Sequence, residues 1–296
     1  MRRHFIASLL LACAMPAALS AQAPLRRGRS IAPDAAVRIF NLAGTIRVTA
    51  WERDSIDVTA VVPEGAGEFL FGGGSAGVKL GISPPPAAET FPGSLLEVKV
   101  PARARVWVKT ESAEVLVSGL TGPLDLSSVS GRIVVTGSPS ELAAESMDGG
   151  IDVRVTSPLV RLKTAGGTIV LRGQVEDATI STVSGAATAV VTGLARSRME
   201  AVSGHLTFDA ELLPGGNYSL ESHSGDIDIR LPTTFNGAVD LTAMEGRVVN
   251  TLTRSPVHSS NRGRGETASF GGGAAASDLV ARTFKGTISI GAQTKP

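Results

Sequence analysis

The segment Gly73-Gly74-Ser75-Ala76-Gly77 matches the serine-nucleophile motif G-x-S-x-G. In serine hydrolases this motif forms a tight strand-to-helix turn that places the serine oxygen beside an oxyanion hole. Here the next residues are Val78-Lys79-Leu80-Gly81-Ile82, whose alternating apolar side chains are typical of a strand. The segment is not a phosphate-binding loop either, because Val78 precedes Lys79 and no Ser or Thr follows the lysine. We expect no catalytic serine here.

Metal-ligating side chains are few and scattered. Apart from His4, near the N-terminus, the histidines are His205, His223 and His258, and none stands at ligand spacing. Four aspartates recur in related positions, Asp148, Asp152, Asp226 and Asp228. A calcium-binding repeat protein would carry aspartates at these positions in every unit, whereas the next two units have Thr168, Val170, Ala186 and Thr188 there. Asp152 and Asp228 share an outward position several repeats apart. The sequence therefore predicts no metal, no cofactor and no catalytic residue.

Charge excludes one class of partner. The formal net charge is +1, with 28 basic and 27 acidic residues, so nothing indicates a nucleic-acid-binding surface. The polar stretch 255–277 carries Arg262 and Arg264, with Arg254 just before it. These arginines would attract an anionic glycan, or would simply keep a solvated loop soluble. The binding residues stay unknown from the sequence.

A repeat positions these residues. Its anchors are Gly44, Ala113, Gly131, Gly149, Gly167, Gly185, Gly204, Gly225, Gly246 and Gly286. From Ala113 to Gly185 the spacing is 18 residues four times running, and it is then 19, 21 and 21. The residues five before and two after each anchor are all apolar, whereas the residue four before is apolar only at Phe40. This period-two alternation is typical of half-buried strands.

Each repeat therefore holds two short strands joined at a corner. Glycine suits the corner because it adopts positive φ without a Cβ clash. Ser or Thr stands three residues before most anchors, on the inward side, where buried hydroxyls need partners that stacked neighbouring hydroxyls and corner backbone groups would supply. We expect the core to include Ile133, Val135, Ile151, Val153, Ile169 and Leu171.

One unit of 18 to 21 residues cannot bury its own apolar face, so equivalent strands must stack on one another. The fold class predicted is all-β: a single-stranded β-solenoid, or β-helix, of about ten coils, with a right-handed winding as the default. An antiparallel sandwich also shows short alternating strands, but it has no reason to keep an 18-residue register.

The chain divides around this repeat. Residues 1–23 are typical of a signal peptide, with Arg2 and Arg3, an apolar run, and the small-x-small site Ala21-Gln22-Ala23. Residues 24–33 are expected to be a linker, 34–290 the repeat domain, and 291–296 a tail. Two insertions interrupt the domain, at 51–101 and 251–277, and 255–277 is expected to be a mobile loop with almost no core. No later stretch is long and apolar enough to span a membrane.

The last repeat, which contains Ile288 and Ile290, is expected to leave an unpaired strand edge at the C-terminal end of the stack. Lys295 and Pro296 would blunt this edge. Alternatively, the strand pairs with another copy of the chain or with an envelope partner. In the first of these cases the protein would self-associate through its C-terminal coil.

Several of these stretches resemble a bacterial family. They are Phe40-Asn41-Leu42-Ala43-Gly44-Thr45-Ile46-Arg47-Val48, the following Trp51, Leu96-Glu97-Val98-Lys99-Val100-Pro101, and Ser222-His223-Ser224-Gly225-Asp226-Ile227-Asp228-Ile229. The sequence is similar here to exported domains of unknown function labelled "putative adhesins", which include toast-rack and head-type β-solenoids. The resemblance implies a single-stranded β-solenoid at the cell envelope. It carries no chemistry, and Ala113, Ala187 and Ala189 depart from its pattern.

Three functions follow in order of preference. The first is a non-catalytic solenoid, periplasmic, surface-exposed or secreted, that binds glycan or protein. The second is a periplasmic component of envelope-stress signalling. The third is a polysaccharide-active enzyme, disfavoured because no cluster of acid, base and electrophile recurs in adjacent repeats.

Overall fold

A computed structural model describes residues 23–85, 92–259, 263–273 and 277–293. The predicted leader, except Ala23, lies outside these residues, and so do Arg262, Lys295 and Pro296. Every regular element in the described part of the chain is a β-strand, so the predicted all-β class is confirmed. No helix long and apolar enough to cross a bilayer occurs there.

The strands form one extended sheet. The first eight are β1 (Leu25–Ser30), β2 (Ala36–Asn41), β3 (Gly44–Trp51), β4 (Ser55–Val61), β5 (Glu68–Gly74), β6 (Gly77–Ser83), β7 (Ser94–Pro101) and β8 (Arg105–Thr110). The next eight are β9 (Glu114–Ser118), β10 (Leu124–Ser128), β11 (Ile133–Gly137), β12 (Leu142–Ser146), β13 (Ile151–Thr164), β14 (Ile169–Thr182), β15 (Ala187–Ala201) and β16 (Leu206–Ser222). The last are β17 (Ile227–Leu231), β18 (Ala238–Ala243), β19 (Arg247–Asn250), β20 (His258–Ser259), β21 (Glu266–Phe270), β22 (Asp278–Thr283) and β23 (Thr287–Ala292).

Pairing sorts these strands into two ladders. The first ladder contains the strands before each corner, in the order β5, β6, β2, β8, β10, β12, β13, β14, β15, β16, β22, β18, β21, β20. The second ladder contains the strands after each corner, in the order β1, β4, β7, β3, β9, β11, β13, β14, β15, β16, β17, β23, β19. The long strands β13 to β16 contribute one half to each ladder.

The strands pair so that equivalent positions of successive repeats lie side by side. In the second ladder Ile133 pairs with Ile151, Ile151 with Ile169, and Ile169 with Ala187, all in parallel. The six residues predicted for the core are at most 1% exposed. Both inward columns, five before and two after each anchor, are buried throughout. The alternation therefore predicted the buried face correctly.

Buried hydroxyls line the inside of the corners. Ser146 and Thr164 accept hydrogen bonds from the backbone N–H of Gly149 and Gly167, at 2.9 and 3.0 Å. The hydroxyl of Thr164 donates to the carbonyl of Met147 in the preceding repeat, at 3.1 Å. The corner backbone groups predicted as partners are thus confirmed, whereas these two hydroxyls reach the preceding repeat through its backbone carbonyl and not through its hydroxyl.

The corner glycines are required by close stacking rather than by backbone conformation. Positive φ, the reason expected from the sequence, holds only at Gly44 and Gly286 among the anchors. A Cβ on Gly149 would overlap the carbonyl oxygen of Gly131 and lie 2.8 Å from its carbonyl carbon. The same overlap with the stacked corner occurs at Gly131, Gly167, Gly185, Gly204, Gly225 and Gly246.

At the N-terminal end, spatial order departs from chain order. The 51–101 insertion supplies β6 and β7, which pair in parallel with β2 and β3 on the outside of the stack. Antiparallel strands β5 and β4 follow, and β1 pairs with β4. Residues 25–30, expected in a linker, are thus the edge strand of the second ladder.

The C-terminal end is interlocked in the same way, and the sequence prediction for it is wrong. Strand β23, expected at an open edge, pairs with β17 on one side and β19 on the other. Strand β22 likewise lies between β16 and β18. Self-association through this coil would therefore need a surface other than a free backbone edge at β23.

The segment 255–277 is not the coreless loop expected. Its strand β21 pairs antiparallel with β18, and Ala268 is 1% exposed. The carboxylate of Glu266 accepts a hydrogen bond from the N–H of Val248 on β19, at 2.8 Å. The Glu266 side chain on β21 thus pairs with the N–H of Val248, which would otherwise lack a partner on β19, the edge strand of the second ladder.

Candidate binding surface

The G-x-S-x-G segment lies in a hairpin. Antiparallel strands β5 and β6 flank it, and Gly74 pairs with Gly77 across the turn. Ser75 is exposed in that turn, and its backbone carbonyl accepts from the N–H of Ala32 at 2.8 Å. Because the turn leads into a strand rather than a helix, the geometry of a nucleophile elbow is not formed.

Three of the four aspartates singled out in the sequence form pairwise contacts along the second ladder. Asp152 lies 3.2 Å from Arg132 and 3.8 Å from Arg172. Asp228 lies 3.0 Å from His205, and Asp226 accepts from the N–H of Thr287 at 2.6 Å. Four strand spacings, about 19 Å at ~4.8 Å each, separate Asp152 from Asp228. Within the described ranges no group of three or more His, Cys, Asp or Glu side chains is placed to hold a metal ion.

The other histidines and loop arginines are equally dispersed. His223 stacks on Phe284 with ring centroids 5.2 Å apart, and His258 is exposed on β20. Arg254, just before the 255–277 segment, and Arg264, within it, are exposed. Of the sequence candidates that the structure describes, His205 and Asp228 meet as a pair, and no third candidate joins them to form a site.

A different surface does converge, on the outer face of the first ladder near its N-terminal end. Four strands in register, β6, β2, β8 and β10, present one row of outward side chains, Lys79, Arg38, Trp107 and Asp125. The next row, two residues further along each strand, is Gly81, Phe40, Lys109 and Ser127. All of these residues except Gly81 line an open groove of about 420 Å³, which we call the Trp107 groove.

Both aromatic rings of the groove are held in place. The Phe40 ring lies against the backbone of β6 at Gly81, where a Cβ would come within 2.6 Å of the ring. The Lys79 Nζ stands 5.3 Å from the centre of this ring, and the Arg38 guanidinium stands 5.3 Å from the centre of Trp107. Cations at this distance are attracted by the ring face. The groove therefore offers two aromatic surfaces with positive charges beside them.

Asp125 is the acidic member of the groove. Partial burial raises the pKa of its carboxyl above the usual value, and the nearby carboxylates of Glu145 and Glu141 raise it further. Lys79, Arg38 and Lys109 outnumber Asp125, so the lining is net positive. Its balance of apolar rings, cations and one carboxyl is the composition of a polar-ligand site rather than of a dry pocket.

A second cavity of about 470 Å³ lies near the C-terminal end, between β16 and the segment after β17. Leu212, Pro214 and Phe235 contribute to its lining, and Glu211 is its one ionisable side chain. It lacks the paired rings and cations of the Trp107 groove.

The groove was missed by sequence reasoning, although one signal pointed to it. Phe40 is the one apolar residue in the column four before the anchors, a column that faces solvent. Trp107 occupies an outward position between buried Val106 and Val108. An aromatic residue on an otherwise polar face is the pattern that binding surfaces show.

Comparisons with known proteins bear on the fold. No family model matches the sequence, and no curated protein matches it. A solved structure from Parabacteroides merdae, described as a "putative adhesin", matches with a TM-score of 0.52 and 14% identity, over 90% of this chain and 96% of that one. Our chain shares its fold. A structure from Parabacteroides distasonis, described as a "putative lipid binding protein", matches with a TM-score of 0.53 and 10% identity over the same shares. The resemblance predicted from the corner repeats is thus confirmed at the level of fold.

Proposed function

We propose that this chain is an exported, non-catalytic β-solenoid of the bacterial cell envelope or surface that binds an acidic glycan in the Trp107 groove. The observation that carries the proposal is the in-register grid of Phe40 and Trp107 with Arg38, Lys79 and Lys109 around them. The adhesin description of a protein with the same fold supports a binding role at the cell surface.

The solenoid part rests on the pairing. Chain segments alternate between two ladders, and equivalent residues 18 positions apart stack directly on one another. A rigid stack of this kind presents long regular faces, which repeat proteins use as extended binding surfaces.

The glycan part rests on the chemistry of the groove. A sugar ring has apolar C–H faces that pack on aromatic rings, and its acidic groups are matched by Lys and Arg. Strand spacing of about 4.8 Å gives the four-strand grid a width of about 14 Å. That span accommodates two or three sugar residues.

The non-catalytic part rests on the carboxyl groups. Glycoside hydrolysis uses two carboxyl groups on opposite sides of the scissile bond. The lining of the groove contains one, Asp125; Glu145 and Glu141 lie outside the lining, and Glu141 is in an ion pair with Arg161 at 2.5 Å. Release of reducing ends from a bound oligosaccharide would contradict this part and favour the enzyme alternative.

Replacing Trp107 with Ala is expected to weaken binding of uronic-acid oligosaccharides at least about tenfold, because the ring is the largest apolar surface of the groove. Trp51→Phe leaves Trp107 as the sole tryptophan, so its fluorescence reports binding directly. Phe284→Ala, which removes an exposed ring at a corner, is the matched control and should bind normally. Equal affinity of wild type and Trp107→Ala for the uronic-acid oligosaccharide, or tighter binding of a neutral oligosaccharide of the same length, would overturn the proposed site.

Affinity for a sulfated oligosaccharide, whose charge does not titrate in this range, is expected to rise as the pH falls through the raised pKa of Asp125. Protonation removes the one negative charge from the lining, worth roughly 1 kcal/mol or about a factor of five. Asp125→Asn should show this higher affinity already at neutral pH and should lose the acid-side increase. Asp240→Asn, on the same face at the far end, should retain the wild-type profile. Identical titration curves for all three proteins would contradict the role of Asp125.

A further inference from the structure

The corners carry an exposed apolar ridge. The residue two before each anchor is Val129, Met147, Val183, Val202, Phe284 or Met244 along most of the stack, and each of these is between 37% and 57% exposed. Ala165 and His223 fill the two other levels between Val129 and Met244, which bound the ridge, and Leu42 and Glu111 hold the same position nearer the N-terminal end. The backbone stacks these residues directly, since Met147 N–H donates to Val129 C=O and Ala165 N–H to Met147 C=O. At about 4.8 Å per level the ridge is about 34 Å long.

Exposed apolar side chains in one continuous line mark an interaction surface. The ridge side chains of eight stacked repeats are spaced by one strand spacing, about 4.8 Å. A second copy of the chain has side chains at the same spacing and can therefore contact the ridge along its whole length. A twofold axis that places two ridges face to face and antiparallel makes the interface self-complementary. In this arrangement Val183 meets the partner's Val202 at the centre, and Met147 meets the partner's Phe284.

The flanking charges decide between orientations. Along one flank the in-register order is Ser127, Glu145, Lys163, Ser181, Glu200, Glu221, Arg282, Thr242. In the antiparallel arrangement this flank faces the same flank of the second copy, which runs in the opposite direction. Glu145 then lies opposite Arg282 of the second copy, and Lys163 lies opposite its Glu221. On the other flank, immediately beside the ridge, Asp148 comes opposite Lys285. A parallel arrangement would instead bring Glu145 to Asp148 and Arg282 to Lys285, which are pairs of like charge.

These flanking charges are available for a partner. Within the described residues, none of Glu145, Lys163, Glu221, Arg282, Asp148 and Lys285 forms an ion pair, although other acidic and basic side chains on the same outer faces do. Opposite charges facing each other steer association and fix its register. We propose that the chain forms an antiparallel twofold dimer through this corner ridge.

Sedimentation velocity across micromolar concentrations tests the dimer. Wild type should dimerise, and Val183→Glu should raise the dimer Kd at least tenfold, because it places carboxylates at the apolar centre of the interface. Val190→Glu is the matched control, since Val190 is 40% exposed on the outer face of the second ladder and should leave the Kd unchanged. Thermal unfolding of both variants checks that the fold is intact. A wild type that stays monomeric, or a Val183→Glu dimer as tight as wild type, would overturn the proposal. A monomer that binds zwitterionic vesicles only with Val183 intact would also overturn it and assign the ridge to a lipid surface.

Charge exchange and cross-linking test the orientation. Lys163→Glu and Glu221→Lys should each weaken the dimer, and the double variant should restore it, since the two positions face each other across the twofold axis. In a Cys13→Ser background, which has no other cysteine, Ala165→Cys and His223→Cys should form a disulfide-linked dimer only when the two proteins are mixed. Cross-linking of either variant with itself would contradict the antiparallel register.

Discussion

Gly149→Ala is expected to destabilise the protein by more than about 3 kcal/mol, whereas Gly150→Ala, one residue later, should cost less than about 1 kcal/mol. A Cβ at position 149 would lie 2.7 Å from the Ser146 hydroxyl and 2.8 Å from the carbonyl carbon of Gly131, and would overlap its oxygen. At position 150 the nearest atom would be the carbonyl oxygen of Thr168, at 3.6 Å, which is an ordinary contact. The two substitutions add the same methyl group to the same corner.

The large effect at Gly149 follows from what surrounds it. Two of the three crowded atoms belong to the backbone of the stacked corner, and backbone atoms held in a ladder on both sides cannot move away cheaply. Relief would require the corners to separate along the stack, which would break the hydrogen bonds that the N–H groups of Met147 and Asp148 donate to the Val129 carbonyl. Chemical denaturation, monitored by circular dichroism, measures both variants. Equal stabilities for Gly149→Ala and Gly150→Ala would show that the corners are not tightly stacked.

The interior of the stack could be predicted from sequence because the same apolar, hydroxyl and glycine positions recur in every repeat there. The apolar column from Leu126 to Ile180 and the hydroxyls of Ser146 and Thr164 place each strand on its neighbour in one register. The glycine requirement was predicted at the right positions for a different reason. Positive φ is a property of one residue, whereas the observed constraint is the distance between two corners, which a pattern within one repeat does not contain.

The order of strands at the two ends could not be predicted, because equivalent repeats can stack on one another in any order. The connections decide that order. The 51–101 insertion is long enough for β6 and β7 to return outside β2 and β3, and 251–277 allows β22 and β23 to enter between earlier strands. The Trp107 groove depends on this rearrangement, since Lys79 and Gly81 reach Phe40 only through β6.

Interlocking at the C-terminal end gives the last prediction. Ser289→Pro is expected to destabilise the protein by several kcal/mol, because Ser289 lies in a strand that is paired on both sides, with Asp228 and with Val249. Proline removes a ladder donor and is tolerated in sheets at edges or bulges, not in a central strand. Had β23 been the outermost strand, the same substitution would have cost little.

Ser269→Pro provides the matched control for this substitution. Ser269 is exposed on β21 and pairs with Asp240 of β18, while β20 covers only Thr267 and Glu266 on the other side. Proline there loses at most one hydrogen bond at an edge, so the melting temperature should fall by only a few degrees. Ser289→Pro should lower it by roughly 10 °C or more, given the usual conversion of 2–4 °C per kcal/mol for a chain of this size. If Ser289→Pro melted as Ser269→Pro does, β23 would be an edge strand, and its insertion between β17 and β19 would be wrong. Because a central proline disrupts strands on both sides, hydrogen exchange should increase in β17 as well as in β19, which an effect confined to one edge would not produce.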